Sequence, residues 1–73
     1  MSEIVAKWAG ERLTDAMTRA GVSDTDLAQA LGVTSRSVYG WKRGSEPRGQ
    51  QTLRGIACAV GVQVEDLFTY EAP

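Results

Sequence analysis

Histidine is missing from this chain, and cysteine occurs once, at Cys58. Without histidine there is no imidazole to serve as a base near neutral pH or as a metal ligand. A single thiol cannot close an intramolecular disulfide. The N-terminal residues Met1-Ser2-Glu3-Ile4-Val5-Ala6-Lys7 lack a basic stretch followed by an apolar one, so no signal peptide is expected, and the lone thiol suits a reducing cytoplasm. Long apolar runs are missing too. The longest is Ile56 to Val60, far short of the about 20 residues that a membrane span needs. Prolines are few, Pro47 and Pro73, which leaves long stretches free to be helical. There is no excess of charge either: 8 basic and 9 acidic residues give a net −1. As a total, that argues against a generically basic nucleic-acid binder.

What is present is an ordinary globular composition, 42% hydrophobic and 23% charged over 73 residues, so disorder is not expected. The length allows one small domain, residues 1–73, that buries only about 60% of the surface its unfolded form exposes. Apolar residues recur at helical spacing. A first helix is expected from about Ile4 to Ala20, with Ser2 as a cap, Ala9, Leu13, Ala16, Met17 and Ala20 on one face, and its well-supported part beginning near Trp8. Gly10 weakens it. A second, about 24–31, has Ser23 as N-cap, Asp26 three residues on, and Leu27, Ala28 and Leu31 inward. A third, about 35–43, opens at Thr34 and buries Val38 and Trp41. A fourth, from about Gln51 to Val60, carries Leu53, Ile56, Ala57 and Val60 as its stripe. Gly21, Gly32, Gly44 and Gly61 each follow such a run, where glycine ends helices. A last helical turn or two is expected over Val64–Thr69, with residues 70–73 frayed. No segment shows sustained period-two alternation, so the expected fold is all-α, a compact five-helix bundle.

The second and third segments meet at Gly32-Val33, and two short amphipathic helices around a turn of three or four residues make a helix-turn-helix pattern. Here the chain resembles the phage Cro and repressor (XRE) family, whose fold is the lambda-repressor-like DNA-binding domain. Ser23, Leu27-Ala28, Gly32-Val33-Thr34, Val38, Trp41 and Gly44 carry the resemblance. Pro47, Leu53, Ile56-Ala57, Val60-Gly61-Val62 and Leu67-Phe68 extend it, so that it covers about Ala9 to Phe68. Two positions depart from the family: Asp24 stands where glutamine is frequent, and Lys42 where glutamate is frequent.

The resemblance implies a regulator that recognises double-stranded DNA, with the third helix in the major groove. By position, Ser35, Arg36, Tyr39 and Gly40 fall to base reading. Arg36 is the best reader, because arginine bonds guanine N7 and O6 together. Ser37, Lys42, Arg43, Arg48, Gln50, Gln51 and Arg54 fall to phosphates, and Asp24 would repel one. The charge distribution agrees. Thr34 to Gly55 holds five basic residues and one acid, a net +4, while residues 1–33 carry −2 and 56–73 carry −3. Occupancy of a two-fold operator by a homodimer, in the manner of a Cro-like or prophage repressor, is the implied mode. Val62, Val64, Phe68 and Tyr70, or Ile4, Val5 and Trp8, are the apolar residues left for a dimer contact. The alternative is an interaction module on the same scaffold that does not bind DNA, which Asp24 and the overall acidity favour.

Blander readings stand beside these. Arg36 can be a solvated surface charge. Lys42 and Arg43 can be partners of the helix dipole. Asp24 and Asp26 read as capping residues. Tyr39 and Trp41, two apart on a helix, face different ways, so they do not form a stacking platform. Cys58 falls off the core stripe, exposed or at a dimer contact, and has no base to activate it. No enzyme, metal site or cofactor is expected.

Overall fold

The computed structural model describes residues 4–71. Four helices and a 3₁₀ turn are framed by two short strands: β1 (Val5–Trp8), α1 (Gly10–Ala20), α2 (Asp24–Leu31), α3 (Ser35–Lys42), α4 (Gln50–Val60), the 3₁₀ turn (Val64–Leu67) and β2 (Phe68–Glu71). The expected all-α bundle of five helices is therefore corrected to a mostly helical fold of four α-helices with a small antiparallel sheet.

The sheet replaces the expected start of the first helix and the end of the last helical segment. Val5 pairs with Glu71, Ala6 with Tyr70, Lys7 with Thr69 and Trp8 with Phe68. Tyr70 and Glu71, expected in a frayed tail, are thus strand residues, and residues 72–73 lie outside the described ones, as does Ser2, the expected cap. The physical reason is local preference joined to a non-local partner. Val5, Trp8, Phe68, Thr69 and Tyr70 are β-branched or aromatic, types that favour strands. Trp8 and Phe68 face each other edge-on, with ring centroids 5.6 Å apart and planes at 82°. Helix α1 begins at Gly10 behind an Ala9 cap that makes no side-chain bond.

Helix boundaries elsewhere follow chemistry visible in the sequence. The Ser23 hydroxyl accepts from Asp26 N–H at 3.1 Å, and Ser23 N–H donates to the Asp26 carboxylate at 3.1 Å. This is a reciprocal cap. Thr34 accepts from Ser37 N–H at 3.2 Å. Between α2 and α3, Gly32 adopts φ 70° and Val33 N–H returns to Ala28 O at 3.0 Å. A side chain at that φ would be strained, so the glycine sets the angle at which α3 leaves.

The core takes residues from every helix. Leu13, Leu27, Val38, Ile56 and Leu67 are fully buried, packed with Ala16, Met17, Ala28, Trp41, Ala57 and Val60. Each large side chain contributes about 1.5–3 kcal/mol relative to exposure. No polar or charged residue among the described ones is buried, so burial of apolar surface, not an internal polar network, holds the helices.

Candidate nucleic-acid interface

Helix α3 is amphipathic. At about 100° per residue, Val38 and Trp41 point into the core, where they are 0% and 9% exposed. Arg36, Tyr39, Gly40 and Arg43 then fall on the opposite side, within about 100° of one another. That outward stripe carries two arginines, a tyrosine and a bare glycine, and no acid. Its first turn is held by the Thr34 cap, which leaves Ser35 and Arg36 exposed at the helix start.

Three contacts from other elements hold α3 in place. Trp8 Nε1 donates to Trp41 O at 2.8 Å, which ties the end of β1 to the last turn of α3. Gly10 lies so close to the same turn that a Cβ there would come within 2.6 Å of Trp41 O, closer than real Cβ atoms approach. Lys42 Nζ forms an ion pair with Asp24 Oδ1 at 2.6 Å, both side chains partly buried, which joins the end of α3 to the start of α2. Sequence reasoning missed all three. Along the sequence Trp8 counts among the surplus apolar residues, Gly10 as a helix defect and Asp24 as a repulsive group. A tryptophan beside a misplaced glycine was the available signal, but its partner lies 33 residues away.

The residues expected at phosphates divide by what already binds them. Arg43 Nη1 donates to Tyr39 Oη at 2.9 Å, and its Cζ lies 5.7 Å from the Tyr39 ring centre, near the outer limit of a cation–π contact. The hydrogen bond is the stronger of the two and leaves the tyrosine O–H able to donate outward. The Ser37 hydroxyl is turned to Thr34 at 3.1 Å, so it serves the cap. Arg36, Arg48 and Arg54 are exposed and have no ion pair among the described residues. Gln50 and Gln51 open α4 behind Gly49, which supplies no side-chain cap, so the first amides of that helix remain available to an anion.

Of the residues expected at a dimer contact, Phe68 and Trp8 are used internally against each other, and Val62 and Val64 are half-buried against the core. Tyr70, Ile4 and Val5 stay exposed at 52%, 73% and 48%. Cys58 is exposed. No metal-binding cluster exists among the described residues, and no helix there is long and apolar enough to cross a membrane.

Two helices at a glycine turn, the second presenting a basic outer face, define a helix-turn-helix DNA-binding domain. The profile of the Cro/C1-type HTH DNA-binding domain matches residues 12–73, and the chain belongs to that family. It is a DNA-binding regulator and not an enzyme. Among solved structures it is similar to the restriction-modification controller protein C.AhdI from Aeromonas hydrophila, with a TM-score of 0.70 and 29% identity over 81% of this chain and 89% of that one. No curated protein matches the chain.

Proposed function

We propose that residues 1–73 act as a sequence-specific transcriptional regulator, a Cro-like or prophage-type repressor that occupies a two-fold operator as a homodimer in the bacterial or phage-infected cytoplasm. The observation that carries this reading is the acid-free outer stripe of α3, with Arg36 unpaired among the described residues. Seated in the major groove, α3 brings Ser35, Arg36, Tyr39 and Gly40 to base edges. Arg43, Arg48 and Arg54, with the amides at Gln50 and Gln51, set the register on the phosphates. Lys42 is spent differently from the sequence expectation: it neutralises Asp24 at 2.6 Å, so the pair presents little net charge to DNA. The likeness to a restriction-modification controller supports regulation and leaves the regulated gene open.

Binding measured at several salt concentrations tests this. Contacts from Arg43, Arg48 and Arg54 give a slope of about −3 per subunit in log K against log salt, at about −0.9 for each phosphate neutralised. Failure to bind any duplex at low salt would overturn the reading in favour of a protein-interaction module.

A further inference from the structure

Seven of the eight glycines have a reason within the fold. Five sit at positive φ, Gly10 faces the Trp41 and Lys42 carbonyls, and Gly55 faces the Leu31 side chain at 2.6 Å from a would-be Cβ. Gly40 is the exception. It lies in the middle of α3 with ordinary helical φ, and a Cβ built there meets only Ser45, at 3.9 Å, an ordinary contact. Glycine is among the poorest helix formers, yet nothing inside the molecule asks for it at this point.

Its surroundings indicate what does. Gly40 is on the outward stripe, between Arg36 one turn before it and Arg43 one turn after, beside Tyr39. The missing side chain leaves a notch in the face assigned to DNA. The Gly40 carbonyl already accepts from Arg43 N–H at 3.1 Å and from Ser45 N–H at 2.9 Å. The floor of the notch therefore offers little polar capacity, and an apolar group fits it better than a base amine or carbonyl. In the major groove the apolar group on a base edge is the thymine 5-methyl.

We infer that Gly40 is a specificity-determining residue whose bare Cα receives a thymine methyl and lets α3 sit deep in the groove. This rests on the DNA-binding reading above. The test uses the full chain, a duplex selected from random DNA, the same duplex with each thymine replaced by deoxyuridine, and the Gly40→Ala variant.

Wild type is expected to lose about fourfold in affinity at one thymine when its methyl is removed, the value of about one buried carbon. Gly40→Ala is expected to melt about 4–8 °C higher than wild type, because alanine favours the helix. It should nevertheless bind the thymine duplex about tenfold more weakly. Its loss should shrink on the deoxyuridine duplex, where removing one methyl makes room for the other.

Equal binding of the selected duplex by Gly40→Ala and wild type overturns the inference. So does a lower melting temperature, which would make Gly40 a packing residue, or a selected site where no thymine methyl matters. Each of those results leaves DNA binding by wild type standing, whereas a wild type that binds no duplex removes both readings.

Discussion

Among the cationic side chains of the proposed interface, those already held by a neighbour differ from those that are not. Arg43 bonds the Tyr39 hydroxyl at 2.9 Å and Lys42 pairs with Asp24 at 2.6 Å, so both have a partner within the protein. Arg36 has neither kind of partner among the described residues and stands two residues past the Thr34 cap, where the backbone is well held but the side chain is free to seek a base. On the proposed reading Arg36 reads sequence, whereas Arg43 positions the protein on a phosphate. Replacing Arg36 by alanine is expected to cost about 1–3 kcal/mol on the preferred site and to relax preference at one base pair. Competition binding against a set of single-base variants measures this, and a uniform loss on every sequence would make Arg36 a phosphate contact instead. The Asp24–Lys42 pair shows how two departures from the family pattern can offset each other. Read one at a time, the aspartate repels DNA and the lysine attracts it; in space they neutralise each other.

Helix α2 shows how an element is secured at its start. Its reciprocal cap satisfies two backbone donors, and Asp26 is held below the usual carboxylate range, first by the Ser23 backbone N–H and then by the Ser23 hydroxyl. A carboxylate whose folded-state pKa is depressed adds stability that is present above its unfolded value and is lost as pH falls through the folded one. The contribution of Asp26 should therefore fade below about pH 4. Removing the hydroxyl with Ser23→Ala is expected to cost about 1 kcal/mol at neutral pH. Asp26→Asn should give a flatter stability profile between neutral and acid pH than wild type. Urea unfolding at a series of pH values checks both, and a wild-type profile no steeper than that of Asp26→Asn would remove the role given to this carboxylate.

At the scale of the molecule, the two-stranded ribbon joins the first and last described elements and anchors α3 through the Trp8–Trp41 bond. Strand pairing puts Ala6, Trp8, Phe68 and Tyr70 on one face, of which the inner two are packed and the outer end is open. Ile4 and Tyr70 are the large apolar residues left exposed at that end, with exposed Val5 on the opposite face, so the ribbon end is the expected dimer contact. Sedimentation of wild type and of Tyr70→Glu, free and on a two-fold site, tests it: wild type should assemble as two subunits on DNA and the variant should do so less readily. A wild type that stays monomeric at high concentration and on DNA would count against the dimer.

Much of this architecture was legible in the sequence. The period of the apolar residues, the Ser23 and Thr34 caps and the glycine after α2 act over three or four residues, and α2, α3 and α4 follow from them. The basic stretch from Thr34 to Gly55 marked the face proposed for DNA despite the net charge of −1. The ribbon was not legible, because neither strand has a partner within reach along the chain and each is only four residues long. The roles of Trp8, Gly10 and Asp24 were hidden for the same reason. Local sequence determined α2, α3 and α4 and which face of α3 is basic. Only the tertiary structure decided how α3 is held, because Trp8, Gly10 and Asp24 reach its last turn from positions at least 18 residues away along the chain.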